Sequence, residues 1–208
     1  MAKKGLFLVF EGIDGSGKTS QLRRTKEYLL SKGIDVVTTR EPGGTPISEK
    51  IRGLLLDPEN KAMVDRCELL LYAASRAQHL AEVIVPALNE GKAVLCDRFS
   101  LSTTAYQGYG RGLDLSLLES VHSVAAAGVH PDLTFVVDVP VEVGAMRVAV
   151  SRGEPKDRLE QEKSDFFDRV RQGFLLEAEK DDIIRVIDGT RTEEEVFAEI
   201  ADVLESLL

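Results

Sequence analysis

The feature that most constrains this 208-residue chain is the octapeptide GIDGSGKT, residues 12–19, which matches the phosphate-binding pattern GxxxxGK[ST] at every position. It follows the apolar run LFLVF and precedes a stretch with helical periodicity, which is the strand–loop–helix context that the pattern requires. In such a loop, successive backbone N–H groups and the start of the helix surround phosphate oxygens. The motif therefore predicts a nucleotide-binding α/β protein, but it does not say what happens to the nucleotide.

Short apolar runs recur along the chain, at residues 6–10, 35–39, 93–96, 133–137 and 183–187. They are continuous rather than alternating, as is typical of strands buried on both faces of a parallel sheet. Between them we predict helices, at residues 18–31, 46–56, 65–90, 114–127, 141–151, 159–180 and 192–207. This alternation predicts a doubly wound α/β fold, and the length favours one domain over residues 1–208. Ligands bind such sheets beyond the carboxyl ends of the strands, where EGIDGSGKT, REPGGTP and DRFS lie.

Composition excludes several classes of function. The net charge of −9 disfavours a nucleic-acid partner, and no apolar run is long enough to span a membrane. Cys67 and Cys96 lack CxxC spacing, so we expect free thiols in a cytoplasmic protein. His79, His122 and His130 are not spaced as zinc ligands. An anionic small molecule remains possible if it meets a local cluster of cations.

The phosphate loop carries one cation of its own. Lys18 is expected to reach the β- and γ-phosphates, and the Thr19 hydroxyl to bind Mg²⁺. We expect the rest of the loop to hold ATP through its backbone, at Gly12, Ile13, Asp14, Gly15, Ser16 and Gly17.

Two classes of protein compete for this loop. A GTPase switch needs the base-reading motif NKxD, whereas the Asn-Lys pair in this chain is followed by Ala and Met at residues 60–63. A small-molecule kinase instead needs a second anion site that faces the loop. The missing NKxD motif favours the kinase.

Candidates for a second site follow the third predicted strand and lie on the long helix. Asp97 and Arg98 form either a salt bridge at the strand end or a metal-side carboxylate with a phosphate-binding guanidinium. Tyr72 and Arg76 are four residues apart and share one helix face. Tyr72 alone fits core packing, but beside Arg76 it suits a flat base. Because arginine carries donors only, the base should present a carbonyl group there.

Six blocks of the sequence together resemble bacterial thymidylate kinases over almost the whole chain: FEGIDGSGKTSQ, TREPGGTPISEKIR, ELLLYAASRAQHL, LCDRFSLSTTAYQGYGRG, HPDLTFVVDVPVEVG and DRLEQEKSDFFDRV. The resemblance implies a three-layer nucleoside-monophosphate-kinase fold with a central parallel sheet and a short lid. It also implies transfer of the γ-phosphoryl group of ATP to dTMP, with Mg²⁺, in dTTP synthesis.

The resemblance assigns five side chains to the sugar and phosphate of the acceptor. Asp14 and Glu41 would lie beside the sugar and the phosphate. Arg52 and Arg98 would hold the phosphate. Tyr106 would pack by the sugar, where it would disfavour a 2′-hydroxyl group.

The resemblance assigns four further side chains to the thymine base. Tyr72, which stands where many bacterial relatives have Phe, would stack on the ring. Arg76 would donate to a carbonyl group, and Thr103 and Gln107 would meet the base edge. Asp97 would join Thr19 in binding Mg²⁺, directly or through water.

The phosphate loop itself supplies only the charge of Lys18. We expect the further positive charge needed for phosphoryl transfer to come from the segment SRGEPKDR, residues 151–158. By itself this segment could be an exposed turn or a mobile cover. One branch of the family carries an arginine in the phosphate loop, where this chain has Gly15, and the bacterial branch carries it in the lid. Arg158 is the first candidate for catalysis and Arg152 the second, with Arg147 either a ligand of ATP or a solvated charge.

Some alternatives remain open at this point. The acceptor could be dUMP or a deoxynucleoside, or the protein could be an ATPase that signals to a protein partner. The family resemblance also predicts a homodimer formed by helix packing, to which the helix at residues 65–90 would contribute.

Overall fold

The computed structural model describes residues 5–151 and 157–208 and places the apolar runs in one sheet. Its strands are β1 Leu6–Glu11, β2 Val36–Arg40, β3 Ala93–Asp97, β4 Leu133–Asp138 and β5 Ile184–Asp188. Neighbouring strands are all parallel, in the order β2-β3-β1-β4-β5. This confirms the predicted fold class. Because the chain builds outward to both sides of β1, a crevice opens at the carboxyl end of that strand.

Each strand ends one residue later than was predicted from the sequence, and the additional residue is charged in all five strands. The five residues are Glu11, Arg40, Asp97, Asp138 and Asp188. They belong to the backbone ladder: Arg40 lies opposite Asp97, and Asp138 lies opposite Asp188. Hydropathy ends a strand at its last apolar side chain, whereas backbone pairing does not depend on the side chain. The sheet therefore presents a row of charged groups at its ligand-binding edge.

The helices are α1 Lys18–Ser31, α2 Pro46–Leu56, α3 Asp65–His79, α4 Val85–Asn89, α5 Ser100–Thr103, α6 Leu115–Ala126, α7 Val141–Ser151, α8 Ser164–Ala178 and α9 Glu193–Glu205. The bounds predicted for α1, α2 and α7 agree with the structure. Local signals explain two of the helix starts. Thr45 caps α2 by accepting a hydrogen bond from Ser48 N, and Thr192 forms a capping box with Glu195 at the start of α9.

The helix predicted at residues 65–90 is not continuous. Between α3 and α4 the chain forms a π-helix at Leu80–Ile84. Pro86 follows shortly afterwards. It has no backbone N–H group, so the usual helical hydrogen bond to the carbonyl of Glu82 cannot form. The wider turn accommodates this lost bond.

A second π-helix, Thr104–Gly110, follows α5 and was not predicted as helical. Its sequence, TAYQGYG, contains two glycines, one threonine and two tyrosines, which have lower helix propensity than alanine or leucine. Packing against α8 stabilises it instead: a Cβ atom at Gly110 would lie 2.7 Å from the Phe166 ring, and Arg169 donates to the Gly110 carbonyl. The predicted start of α8 at residue 159 is also early, because Asp157 and Glu160 exchange hydrogen bonds in a turn.

The core has a layer on each face of the sheet. Along β1, Leu8 and Phe10 pack with α1 and α9, whereas Phe7 and Val9 face the opposite layer. All four side chains are at most 1% exposed. Burial on both faces explains why this strand is continuously apolar. No helix within residues 5–151 and 157–208 combines the length and hydrophobicity needed to cross a bilayer.

Candidate active site

The phosphate-binding loop occupies the crevice at the carboxyl end of β1. Gly17 is the N-cap of α1 and has no side chain to cap the first N–H groups, which leaves them for an anionic ligand. Lys18 is 6% exposed, with its Nζ 3.5 Å from both the Ile13 carbonyl and the Asp14 carboxylate. Burial, reinforced by the charge of Arg98, lowers the pKa of Lys18. A phosphate in the loop would therefore meet a weakly hydrated ammonium group.

The structure explains why the loop has no arginine at position 15. Gly15 has a φ of +77°, and a Cβ atom there would lie 2.2 Å from the carbonyl oxygen of Gly144 in α7. A side chain at Gly15 would therefore collide with backbone. The close approach also sets α7, which leads to the predicted lid, directly against the loop.

Thr19 and Asp97 form the pair predicted for Mg²⁺. The Thr19 hydroxyl donates to Asp97 Oδ2 over 2.7 Å, and both residues line the same cavity. Hydroxyl and carboxylate oxygens suit Mg²⁺, which takes most of its other ligands from phosphates and water. In the described part of the chain, no group of three or more His, Cys, Asp or Glu could hold a metal by itself. The donor set thus fits an ion that arrives with a nucleotide.

Arg98 lies between the phosphate loop and the neighbouring cavity. Its backbone adopts a left-handed conformation, with φ 70°, and its N–H donates to the Phe10 carbonyl. Its guanidinium donates to Ser102 Oγ at 3.0 Å, Asp14 Oδ1 at 2.9 Å and the Tyr106 hydroxyl at 3.2 Å. Burial opposes the charge, but Tyr106 and Asp14 raise the pKa of Arg98 well above its usual value. The side chain is thus a permanently charged group in a fixed position.

Glu11 contacts two residues that line the site, Phe99 and Ser102, and the sequence patterns do not identify it. It is fully buried at the end of β1, where its carboxylate accepts hydrogen bonds from Phe99 N at 2.7 Å and from Ser102 N and Oγ. Burial raises its pKa to about 7, against the opposing effects of Ser102 and Arg98. The signal available in the sequence is a carboxylate that directly follows a fully buried strand.

A large cavity lies between the phosphate loop and helices α2 and α3. It is lined by Asp14, Lys18, Thr19, Arg40, Glu41, Pro42, Arg52, Leu56, Tyr72, Arg76, Asp97, Arg98, Phe99, Ser102, Thr103, Tyr106, Gln107, Asp157 and Leu159. This list contains every residue predicted to bind the acceptor and both residues predicted to bind the metal. The structure therefore brings together side chains from blocks that are far apart in the sequence.

Arg76, predicted to donate to the base, is only 1% exposed at the cavity wall. Its Nε donates to Glu41 Oε2 at 2.8 Å and its Nη2 to Thr103 Oγ1 at 2.9 Å. Its Nη1 lies 3.3 Å from His122 Nδ1, which must accept because arginine has donors only. Burial, together with the charge of Arg76, lowers the pKa of His122 to about 4, so this ring is neutral. Within residues 5–151 and 157–208, three of the five N–H groups of Arg76 have a partner, so two are available to a ligand.

Glu41 has both carboxylate oxygens engaged within the protein. Besides Arg76, it contacts His79, whose Nδ1 lies 3.0 Å from Glu41 Oε1. The other ring nitrogen of His79 lies 2.6 Å from Thr39 Oγ1. The Glu41 side chain thus holds two buried groups of α3 and also lines the cavity.

Tyr72 and Arg52 form another part of the cavity wall. Burial, with the charge of Glu68, raises the pKa of the Tyr72 hydroxyl, so it is neutral. Arg52 donates from Nη1 to the Pro42 carbonyl at 2.9 Å. Burial lowers the pKa of Arg52, as expected for a cation that is partly removed from solvent.

Arg158 does not contact the phosphate loop in this structure. Its Nε donates to the Leu55 carbonyl at 2.8 Å, and its Nη2 forms an ion pair with Glu68 of α3. It does not line the large cavity, although its chain neighbours Asp157 and Leu159 do. Arg152, the other predicted lid arginine, lies outside the described residues.

Arg147 binds the backbone on the opposite side of the phosphate loop. It donates to the Gly189 carbonyl at 3.1 Å and approaches the carbonyls of Gly15 and Ser16 at 3.4 Å. A second cavity is lined by Ser16, Gly17, Ser20, Gln21, Val137, Arg147, Gly189, Arg191, Glu193 and Val196. Arg147 is therefore not a freely solvated charge. The polar residues after β5, at 189–193, were not predicted to belong to a site, although they follow a strand end as EGIDGSGKT, REPGGTP and DRFS do.

A phosphate loop on a parallel sheet of this order, with a polar cavity facing it, defines a P-loop kinase of the nucleoside-monophosphate class. The chain belongs to the thymidylate kinase family, whose model, described as "Thymidylate kinase", matches residues 10–200.

Similar proteins cover nearly the whole chain. It is 52% identical to a thymidylate kinase of Pelotomaculum thermopropionicum over 99% of this chain and 95% of that one. It is 50% identical to one of Carboxydothermus hydrogenoformans over 98% of both chains. The crystal structure of thymidylate kinase from Ehrlichia chaffeensis superposes with a TM-score of 0.77 at 38% identity, covering 97% of this chain and 99% of that one.

Proposed function

We propose that the chain transfers the γ-phosphoryl group of ATP to dTMP, giving ADP and dTDP for dTTP synthesis. The observation that carries this proposal is the cavity itself, because it opens directly onto the phosphate loop and is lined by all the residues expected to bind the acceptor. An acceptor seated there would have its phosphate near Lys18 and Arg98. The two substrates would thus meet at one point.

The acceptor phosphate binds Arg98 and Arg52, and the sugar lies near Asp14, Glu41 and Tyr106. Arg98 is suited to this role because Asp14 and Tyr106 hold its guanidinium in place before the ligand arrives. Such preorganisation reduces the entropy lost on binding.

The base lies between Tyr72 and the buried group of Arg76, Thr103 and Gln107. Tyr72 supplies the ring face for stacking. The two unused N–H groups of Arg76 donate to a carbonyl oxygen of thymine. The 5-methyl group contributes only modest discrimination against dUMP, because a hydrophobic pocket distinguishes a single methyl weakly.

The donor ATP lies along the phosphate loop. Its polyphosphate contacts the loop backbone and Lys18, and its nucleoside extends towards Arg147 and the second cavity. Thr19 and Asp97 would hold Mg²⁺, which when bound neutralises charge on the phosphate oxygens.

Phosphoryl transfer needs alignment and positive charge around the transferred group more than it needs covalent chemistry. The acceptor phosphate is already an anionic nucleophile, so no strong general base is required. Lys18 and Arg98 supply fixed cations, and a lid arginine supplies the remaining charge. We assign this role to Arg158 first and to Arg152 second. For Arg158 to act, its guanidinium must exchange Glu68 for phosphoryl oxygens.

Two further properties belong to this proposal. We place the enzyme in the cytoplasm, since Cys67 and Cys96 are free thiols. We also propose a homodimer formed through α3. The outer face of α3 and of the π-helix that follows it carries a stripe of exposed small and apolar residues, at Cys67, Leu70, Ala74, Ala77 and Ala81.

The test is ADP release measured with dTMP, dUMP, thymidine or no acceptor. We expect turnover with dTMP and little without it. Turnover with thymidine would indicate a nucleoside kinase, and acceptor-independent hydrolysis would indicate a regulatory ATPase. The control is Lys18→Met, which should fold normally and lose turnover with every acceptor.

A further inference from the structure

Gln107 is held by a buried carboxylate that belongs to another element. It lies in the π-helix and is 1% exposed, and its amide nitrogen donates to Glu68 Oε1 of α3 at 2.9 Å. Glu68 is also 1% exposed and accepts from Arg111 Nε at 3.2 Å and from Arg158. Burial opposes its charge, but the hydrogen bonds of Arg111 and Gln107 bring the pKa of Glu68 below its usual value. The carboxylate is therefore ionised.

An ionised carboxylate only accepts hydrogen bonds, and this determines which way the Gln107 amide points. Its nitrogen must face Glu68, so its oxygen must face the other way. In the described part of the chain, Gln107 Oε1 neither accepts a hydrogen bond nor belongs to the sealed, unpartnered polar atoms. Gln107 lines the large cavity together with Arg76. The amide oxygen is thus an acceptor available to a ligand in that cavity.

Two groups of opposite character therefore stand at the base end of the cavity. Arg76 offers N–H donors, and Gln107 offers an acceptor. The thymine and uracil rings carry a carbonyl oxygen next to an N–H group along one edge, which matches this pair. Cytosine carries an amino group next to an unprotonated nitrogen, which reverses both positions and would set donor against donor and acceptor against acceptor.

We propose that Glu68 is a specificity-determining positioning residue, which excludes cytosine nucleotides by holding the Gln107 amide with its oxygen towards the base. This inference rests on the proposed binding of dTMP in the cavity. It makes Glu68, which does not line the cavity, responsible for the choice between 4-oxo and 4-amino pyrimidines. Without the negative charge, the amide could turn and present its nitrogen to the ring.

The test compares kcat/KM for dTMP and dCMP in the wild type and in Glu68→Gln. The glutamine keeps the size of the side chain but can either donate to Gln107 or accept from it. We expect the ratio of kcat/KM for dTMP to that for dCMP to fall about tenfold, because the Gln107 amide can then turn its nitrogen towards the cytosine ring. The matched control is Glu162→Gln, which removes another of the carboxylates on Arg111 without touching Gln107 and should leave the ratio unchanged.

A purely structural role for Glu68 would lower both kcat/KM values by the same factor and would overturn the proposal. Glu68→Asp retains the charge and should retain the wild-type ratio even if overall activity falls. If Glu68→Gln does not fold, Gln107→Met tests which end of the amide faces the base. Removing the amide should then lower kcat/KM for dTMP about tenfold and raise that for dCMP, because the opposed acceptor is gone, whereas a wider dTMP/dCMP ratio would show that the nitrogen faces the base. Failure of the proposed function would look different, since the wild type itself would not use dTMP.

Discussion

At the scale of single residues, Arg76 combines a structural role with a binding role. Its guanidinium forms an ion pair with the buried Glu41 carboxylate, and the same side chain lines the cavity. From the sequence, Arg76 was predicted only to bind the base, because the hydrogen-bond partners of its guanidinium come from three other segments of the chain. Its loss should therefore affect folding as well as substrate binding.

We expect Arg76→Ala to lower the free energy of unfolding by about 3–5 kcal/mol, because it leaves the buried Glu41 carboxylate without its arginine partner. Urea denaturation measures this loss. The control is Arg40→Ala, whose pair with Glu49 is solvent-exposed and should contribute at most about 1 kcal/mol. Among folded molecules the KM for dTMP should rise while the KM for ATP changes little. Equal stability of the two variants would contradict the buried role.

Glu11 gives a prediction about pH. Its pKa of about 7 in the folded protein lies above the ordinary 4.5, so the folded state holds an extra proton between these values. Stability contributed by this group therefore falls as the pH rises from 4.5 to 7. Glu11→Gln removes the titration. Its unfolding free energy, relative to the wild type, should rise by up to ~3 kcal/mol between pH 5 and pH 8.

Urea denaturation of both proteins at several pH values in that range tests this prediction. The difference between the two proteins is the relevant quantity, because titration of all other groups then cancels. A difference that does not change with pH would show that Glu11 is ionised throughout. In that case the hydrogen bonds from Phe99 and Ser102 would outweigh the effect of burial.

Local sequence patterns mark only some of the residues that build the site. Thr19, Asp97 and Arg98 could be predicted as site residues because motifs and strand ends mark them locally. Glu68 and His122, which support site residues from behind, were not found. Their roles depend on hydrogen bonds between elements distant in the chain, and no local pattern encodes such bonds. Glu11 falls between these cases, because it is local but was read only as the residue before the loop.

At the scale of elements, hydropathy predicts all five strands and misses their last residue. The strand core depends on apolar burial, which the sequence displays directly. The terminal residue of each strand is charged, so the apolar pattern ends one residue too early. The π-helix at Leu80–Ile84 lies within the helix predicted at residues 65–90 and interrupts it near a proline, whereas the π-helix at Thr104–Gly110 was missed because it depends on tertiary packing against α8.

The segment after α7 gives a prediction about the lid. We expect Arg158→Ala to lower kcat by about three powers of ten or more, as removal of an arginine finger does, with a smaller effect on the KM for dTMP. Single-turnover kinetics with saturating substrates isolates this effect on chemistry. The control is Arg23→Ala, which removes an arginine that is 67% exposed on α1 and should leave kcat unchanged. A kcat within threefold of the wild type would assign Arg158 to the ion pair with Glu68 alone.

At the scale of the whole molecule, the exposed apolar residues are not evenly distributed. Leu70 of α3 is 59% exposed, and the helices that pack on either side of α3 also carry exposed apolar groups. These are Ile47 and Leu54 of α2 and Leu117 and Val124 of α6. Small residues next to Leu70 along α3 and the following π-helix would allow close approach of a second helix. A second copy of the chain would cover this face in a two-fold symmetric contact.

The proposed dimer predicts that a charge at the centre of this face abolishes association. Leu70→Glu should sediment as a monomer at concentrations where the wild type sediments as a dimer, because two carboxylates would be buried at or near the symmetry axis without partners. Leu30→Glu is the matched control, since Leu30 of α1 is similarly exposed, at 48%, but lies outside this face. It should remain dimeric. Sedimentation velocity over a concentration series distinguishes the outcomes. A monomeric wild type, or a dimeric Leu70→Glu variant, would show that this face does not form the interface.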